Sequence, residues 1–339
     1  MQNYSDFIRK GDIMKKSIVI VLMLAIVLSL GACGSKESKE NSEVKVKSMG
    51  VEFKYDKAPE KAVVLGCDSA EIMVMLGLED KIVAWARSDF SEKNIKKEYY
   101  EKIKDKKMLP DGNWPGVPTF ETIIGTEPDF VYGTAYSFNE GSCGKVEDFT
   151  NEKINIYATE GTAIKNAEID AVYHDIKNIG KIFRVEDKAD KIIEELKSKV
   201  DDVDKKVKGK DFVNALILEG VSDGKIQVDG GTTFGSKLLE RAGGKNIFGG
   251  VEDSFPMVSI EEVIKKNPTA IVVVDLPASS VTSSAKKQIE QLEKIAELKK
   301  VDAVKNKNYI IVPSIQVFPS AQSIEGLTKM AKGLHPDAF

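Results

Sequence analysis

The chain has 339 residues, of which 42% are hydrophobic and 30% charged, with a formal net charge of −4. This length suggests about two domains, and the composition excludes both an intrinsically disordered chain and a protein with many membrane spans. The negative net charge argues against nucleic-acid binding, which depends on basic surface.

The N-terminus carries the pattern of an exported lipoprotein. Lys15 and Lys16 precede an apolar run over residues 18–28, and the string Leu30-Gly31-Ala32-Cys33 follows. This order is typical of a secretory signal peptide, and the run is shorter than the ~20 residues of a transmembrane helix. The string resembles the lipobox of bacterial lipoproteins, which implies a signal peptide over residues 1–32 and a lipid on Cys33. A plain signal peptide or an uncleaved anchor is the alternative.

After a polar tether over residues 33–43, short β-type runs alternate with helical patterns. We predict strands at Val44–Lys47, Ala62–Leu65, Ile82–Trp85, Asp129–Tyr132, Ile154–Tyr157, Phe212–Leu218, Ile226–Asp229, Ala270–Val274 and Tyr309–Val312. Helices are predicted at Ser69–Leu76, Phe120–Gly125, Phe234–Ala242, Ile260–Lys266 and Ile324–Leu334. Such alternation predicts an α/β protein with parallel-rich, Rossmann-like sheets covered by helices.

One predicted helix is much longer than the others. From residue 186 to about 206 the chain contains no Gly or Pro, and apolar residues recur at three- and four-residue spacing. We interpret it as a single long connecting α-helix (residues 186–208) between an N-terminal lobe (44–185) and a C-terminal lobe (209–339). An ordinary surface helix within one lobe is the alternative.

A weak internal repeat supports two similar lobes. The residues Thr119, Glu121, Ile124, Pro128 and Val131 match, at a constant offset of 140, Ser259, Glu261, Ile264, Pro268 and Ile271. Each segment is typical of a helix N-cap, a helix, and a proline before a buried strand.

Few motifs indicate catalysis or direct metal binding. The string Gly220-Val221-Ser222-Asp223-Gly224 matches a serine-hydrolase nucleophile elbow, but a second predicted strand follows it, which favours a hairpin turn. The two histidines, His174 and His335, are too few for a typical bare-ion site, so we predict structural roles for both and no metal site. Cys67 and Cys143 could form a disulfide outside the cytoplasm or remain free thiols.

Aromatic residues fall near predicted strand ends and in loops. In α/β sheets ligands collect at the carboxyl ends of the strands, where aromatic faces bury a large ligand and an arginine pairs with an anionic one. The candidate ligand-binding residues are Trp85, Arg87, Trp114, Tyr132, Tyr136, Phe255 and Phe318.

The order of several strings resembles the iron-siderophore, cobalamin and haem group of ABC transporter solute-binding proteins. These strings are Ala62-Val63-Val64-Leu65, Ser69-Ala70-Glu71, Pro128-Asp129-Phe130-Val131, the run from Leu238 to Phe248, and Leu334-His335-Pro336. The resemblance implies a helical-backbone fold with the ligand between two lobes. It also implies a permease that is contacted by one Glu of each lobe, at Glu71 and Glu240, and that works with a cytoplasmic ATPase.

The same resemblance predicts a monomeric, membrane-anchored extracytoplasmic binding protein without a cofactor. Its expected ligand is a metal chelate, with a ferric siderophore ahead of a corrinoid or haem. An extracellular siderophore esterase is the enzymatic alternative, and a structural lipoprotein that binds no small molecule is another.

Overall fold

The computed structural model describes residues 43–87, 94–112, 116–222, 224–276 and 284–339. Residues 43–339 form one compact unit. Across these described ranges, no helix combines the length and the apolar character needed to cross a membrane.

The N-terminal lobe contains a β-hairpin and a five-stranded sheet. The hairpin joins β1 (Val44–Ser48) to β2 (Val51–Tyr55). The sheet contains β3 (Ala62–Leu65), β4 (Ile82–Ala86), β5 (Lys107–Met108), β6 (Phe130–Thr134) and β7 (Asn155–Thr159). Its order is β5-β4-β3-β6-β7, and all four pairings are parallel. The chain therefore reverses its direction of travel between β3 and β6, which is where α/β sheets open a ligand crevice.

The described residues of this lobe form six helices between or after these strands. They are α1 (Cys67–Met75), α2 (Lys97–Ile103), α3 (Phe120–Ile124), α4 (Val146–Asn151), α5 (Glu160–Ala163) and α6 (Asp170–Ile182). Short 3₁₀ turns occupy Glu79–Lys81 and Ala135–Ser137.

The long helix α7 (Glu186–Val207) follows the N-terminal lobe. Its 22 residues span ~33 Å at 1.5 Å per residue. One stripe of the helix is buried, and it consists of Ala189, Ile193, Leu196, Val200 and Val203. Because α7 joins the two sheets, it is the connecting helix that the apolar spacing predicts.

The C-terminal lobe has a six-stranded mixed sheet. Its strands are β8 (Val213–Ser222), β9 (Lys225–Val228), β10 (Gly244–Asn246), β11 (Met257–Ser259), β12 (Ala270–Asp275) and β13 (Tyr309–Pro313). The order is β11-β9-β8-β12-β13, with β10 parallel to the first residues of β8. Strands β8, β12 and β13 are parallel, whereas β8–β9 and β9–β11 are antiparallel.

The helices of this lobe are α8 (Phe234–Arg241), α9 (Ile260–Lys266), α10 (Ala285–Lys294), α11 (Asp302–Lys305), α12 (Ser314–Val317) and α13 (Ser323–Leu334). Two 3₁₀ turns occupy Ala296–Lys300 and Pro336–Ala338. Helix α13 packs on α7, as α6 does from the other lobe. One apolar cluster consequently runs from the N-terminal lobe through α7 to one face of the C-terminal sheet, and a second cluster fills the opposite face of that sheet.

The two lobes repeat the same core arrangement. The order β3-β6-β7 in the first sheet corresponds to β8-β12-β13 in the second, all parallel. Thr119 and Ser259 cap α3 and α9, since each side chain accepts a hydrogen bond from the amide three residues later. Strands β6 and β12 then begin 140 residues apart. The prediction of two parallel-rich α/β lobes joined by one helix is confirmed.

Candidate interlobe ligand site

The carboxyl ends of the two sheets approach each other. The α-carbon of Gly161, just after β7, packs so tightly on Pro319 that an added Cβ would lie 2.4 Å from Pro319 Cβ. Nearby, the amide of Asn166 donates a 3.1 Å hydrogen bond to the carbonyl oxygen of Thr232. Pro319 follows β13 and α12. These contacts therefore show that segments after the strand ends of both lobes meet, and a cleft between the lobes would lie next to these segments.

Two candidate ligand residues occupy the N-terminal side of this boundary. Arg87 directly follows β4, is half-buried, and its Nη2 lies 3.4 Å from Asp111 Oδ1. Tyr136 lies in the 3₁₀ turn after β6 and is 58% exposed. These positions flank the switch point between β3 and β6, so both side chains can contact a ligand there.

Two aromatic candidates lie on the C-terminal side. Phe318 is half-buried and adjoins Pro319, which contacts the other lobe. Phe255 is 45% exposed and follows Ser254, whose carbonyl oxygen accepts a hydrogen bond from the amide of Gly230. Ser254 also lies beside Thr232, with their hydroxyl oxygens 3.4 Å apart. Phe255 is therefore near the lobe boundary and available to a ligand.

Two other aromatic candidates are core residues, and their assignment to the ligand site is wrong. Trp85 is 2% exposed and packs edge-to-face against Tyr100. Tyr132 is fully buried in β6 and packs against Tyr157. Both lie within central parallel strands, which are covered on both faces by helices. Trp114 and the lipidation candidate Cys33 lie outside the described residues.

Glu71 does not project from the surface, so its assignment to permease docking is wrong. Its side chain is fully buried in α1. Oε1 accepts hydrogen bonds from the amide of Lys96 (2.6 Å) and from Nε2 of Gln322 (2.7 Å), a residue of the other lobe. Burial raises the pKa of Glu71 to about 7, despite these two hydrogen bonds.

Glu240 is exposed, but it lies away from the lobe boundary. It is near the C-terminal end of α8, and its Oε2 lies 3.3 Å from Lys237 Nζ. It lines a pocket of about 320 Å³ together with Asp204 of α7 and Arg241. Since α8 leads into the parallel strand β10, Glu240 is at the amino edge of the sheet.

A second pair of carboxylates, Glu121 and Glu261, lies at equivalent positions in the two lobes. Each is the second residue of its helix, two positions after the N-cap residue, and each is exposed. A helix that leads into a parallel strand runs antiparallel to it, so its N-terminus lies at the carboxyl edge. Both residues therefore lie at equivalent places on the cleft side of the two lobes. The sequence repeat at an offset of 140 already paired Glu121 with Glu261, so it could have indicated their equivalent positions.

The C-terminal lobe also carries two neighbouring acidic residues, the buried Asp229 and the half-buried Glu219. Asp229 accepts a 2.8 Å hydrogen bond from the hydroxyl of Thr233, while Glu219 sits at the irregularity in the β8–β9 pairing. Burial, together with the neighbouring Asp229, raises the pKa of Glu219 well above its usual value. Burial also raises the pKa of Asp229, and the hydrogen bonds from Glu219 and Thr233 oppose this shift.

The cysteines and histidines lie in contacts that stabilise the fold or on the surface. Cys67 and Cys143 are both buried, and neither forms a disulfide. His335 is buried with Nε2 3.2 Å from the carbonyl oxygen of Gly243, and His174 pairs with Glu160 at 2.9 Å on the surface. Within the described ranges, no group of three or more His, Cys, Asp or Glu side chains could hold a metal ion.

The nucleophile-elbow string forms a hairpin, as predicted. Strand β8 continues to Ser222 and pairs antiparallel with β9 from Lys225 onward. The strand–turn–helix geometry that an elbow requires is therefore not formed by this segment.

Proteins of known sequence and structure resemble the chain over most of its length. It is 28% identical over 341 residues to the ABC transporter substrate-binding lipoprotein YvrC of Bacillus subtilis, covering 96% of this chain and 99% of that protein. It is 26% identical over 342 residues to the petrobactin-binding protein YclQ of the same organism, covering 94% and 98%.

A solved periplasmic binding protein from Veillonella parvula has the same fold. It superposes with a TM-score of 0.76 at 23% identity, covering 87% of this chain and 98% of that one. The family model described as "Periplasmic binding protein" matches residues 63–315, from β3 to α12. With that match extending over both lobes and the connecting helix, the chain belongs to the periplasmic binding protein family.

Proposed function

We propose that this protein captures a bulky metal chelate, with a ferric siderophore as the leading class, in the cleft between its lobes and delivers it to the permease of an ABC importer. The observation that carries the proposal is the placement of Arg87 and Tyr136 on one side of the lobe boundary and of Phe255 and Phe318 on the other. Membership of the family and the similarity to a petrobactin-binding protein support the same ligand class.

The chemistry of these four residues suits a large, flat or rounded anionic chelate. Aromatic rings bury the apolar faces of a ligand, and a guanidinium pairs with carboxylate or catecholate oxygens. Asp111 offsets part of the Arg87 charge in the free protein. An anionic chelate that displaces this partner would gain a charge-assisted hydrogen bond, which favours anions over neutral ligands of the same size.

Haem and corrinoid remain the alternatives within the same site. The exposed phenol of Tyr136 favours haem as the second candidate, because tyrosine is one of the axial ligands that proteins supply to haem iron. No catalytic step is needed for any of these ligands, and we propose that the protein acts as a monomeric receptor without enzymatic activity.

A ligand panel tests this proposal. The soluble chain without residues 1–33 would be melted with ferric hydroxamates, ferric catecholates, a corrinoid and haem, each with its metal-free form as control. A ligand present at 100 times its dissociation constant adds about 2.7 kcal/mol to the free energy of unfolding. A shift with one ferric chelate and none with its metal-free form supports the proposal, whereas no shift with any ligand contradicts it.

We further propose that Glu121 and Glu261 contact the permease. Two exposed carboxylates at equivalent places on the two lobes would orient the receptor on a partner with basic side chains, and such charges affect association rate more than affinity. Glu240 remains the alternative for the C-terminal lobe, and its place at the opposite edge of the sheet makes it the weaker candidate.

Charge reversal separates these possibilities in an uptake assay. Glu121→Lys with Glu261→Lys should abolish uptake and leave chelate affinity unchanged. The matched control, Glu152→Lys with Glu297→Lys, makes the same charge change at one exposed residue of each lobe. Loss of uptake with Glu240→Lys alone, and not with the first pair, would transfer the docking role to Glu240.

We also propose that the receptor is held at the outer face of the cell membrane by a lipid on Cys33, after removal of residues 1–32. The matching relative YvrC is itself described as a lipoprotein. Cys33→Ala should block lipid labelling of the protein, and unchanged labelling would contradict the assignment.

A further inference from the structure

The two lobes are joined away from α7 by a buried polar contact centred on Glu71. Oε1 of this residue accepts from the Lys96 amide in its own lobe and from Gln322 Nε2 in the other. The same Gln322 nitrogen donates to the carbonyl oxygen of Asn94, also at 2.7 Å. Gln322 directly precedes α13, so this contact ties the start of that helix to α1 of the N-terminal lobe.

The charges around Glu71 offer little support for a buried carboxylate. Lys96 Nζ, on the segment before α2, is paired with Glu325 of α13, and its charge lowers the pKa of Glu71 by less than burial raises it. Tyr99, on α2, is a neutral phenol, and Asp68 lies one turn earlier on α1 and adds negative charge. Glu71 Oε2 is buried, with no hydrogen-bond partner among the described residues. An ionised Glu71 would thus leave a charged oxygen buried without a donor.

We propose that Glu71 is a positioning residue that holds the two lobes together as a neutral carboxyl group, and that its ionisation loosens the contact between them. The contact joins a residue of each lobe, so its state affects how rigidly the two lobes are held relative to each other. The inference concerns the ligand-free protein, and it bears on delivery only through the proposed function.

The direction of the effect follows from proton linkage. In the closed contact, burial raises the pKa of Glu71 from its usual 4.5 to about 7. When the lobes separate, water reaches the carboxyl group and its pKa returns toward the ordinary value. Between these two pH values the separated form releases its proton and the closed form keeps it. Rising pH therefore favours separation. Over the whole range, the equilibrium constant for closure falls by roughly two orders of magnitude.

A distance measurement across the cleft rim tests this inference. Spin labels would be attached at Glu121→Cys and Glu261→Cys in the ligand-free chain without residues 1–33. Both native thiols in that chain, Cys67 and Cys143, are buried and shielded from labelling. Pulsed electron resonance then gives the interlobe distance distribution from pH 5 to pH 8.5. The distribution should be narrow at pH 5 and broader or longer at pH 8.5, with the change falling between about pH 5 and pH 7.

Variants assign the transition to the carboxyl group. Glu71→Gln keeps an oxygen acceptor without charge and should remain narrow at both pH values. Gln322→Leu removes the partner in the other lobe and should be broad at both, and it serves as the second test if the first variant is unstable. An intact protein with the same distribution at both pH values, or a Gln variant with the same transition, would overturn the inference. Because no ligand is present, failure here and failure of chelate binding are independent results.

Discussion

The close packing of Gly161 on Pro319 makes a sharp prediction about how the lobes meet. In Gly161→Ala the new methyl carbon would lie 2.4 Å from Pro319 Cβ. Carbon atoms in contact are about 3.5–4.0 Å apart, so the two segments must move by more than about 1 Å. Overpacking of this kind costs about 1–3 kcal/mol, while alanine in helix α5 regains about 0.5–1 kcal/mol over glycine. We expect a net loss of about 1–2 kcal/mol.

Chemical denaturation measures this loss of unfolding free energy, and two further variants test whether it comes from the contact with Pro319. Gly250→Ala is the matched control, because an added Cβ at that position meets nothing within 4 Å. Pro319→Gly removes the opposing ring carbons, so the double variant should recover part of the loss in a double-mutant cycle. Equal stability of the two alanine variants, with no coupling to Pro319, would refute the close approach of the lobes.

Three further predictions concern residues whose roles the structure defines. Glu71→Gln should change the pH dependence of stability. Because the pKa of Glu71 is raised, the free energy of unfolding of the wild type should fall by roughly 3 kcal/mol between pH 4.5 and 7, and urea unfolding at both pH values should show no such fall in the variant. Trp85→Ala should cost about 3–5 kcal/mol by melting, as a core residue does, and a loss of chelate affinity without destabilisation would contradict its assignment. Arg241→Ala breaks a paired contact with Asp204 of α7 at 2.7 and 3.0 Å, and should cost at most about 1 kcal/mol because both groups are partly exposed.

The architecture was predictable because the local signals agree with the fold. Fully buried parallel strands such as Ala62–Leu65 and Ala270–Asp275 are continuous apolar runs between turn residues, and the stripe on α7 is a clear helical period. The strands that sequence reasoning missed are short or mostly exposed, as in Lys107–Met108 and Met257–Ser259. Strand β2 was also missed. In the structure it follows Met49 and Gly50, which both have positive φ, as is typical of a tight hairpin turn.

The individual site residues were less predictable. Position at a strand end does not say which way a side chain points, and this is why Trp85 and Tyr132 were assigned to the ligand although both face the core. Glu71 illustrates a second difficulty. A carboxylate on a short helix is usually a solvated surface group, but here the segment before α2 and the start of α13 both pack on it and bury it. Residue pairs such as Glu71 and Gln322 lie 251 positions apart, which local pattern cannot connect.

The central claim, that a ligand binds between the lobes, is tested most directly by calorimetric titration of the best ferric chelate into cleft variants. Phe255→Ala and Tyr136→Ala should each weaken binding about 10- to 100-fold, since each ring contributes about 1–3 kcal/mol of buried contact. Phe212→Ala is the control, because Phe212 is 69% exposed and lies at the opposite, amino end of β8. Equal affinity of the cleft variants and the control, with chelate binding intact in all three, would contradict the account.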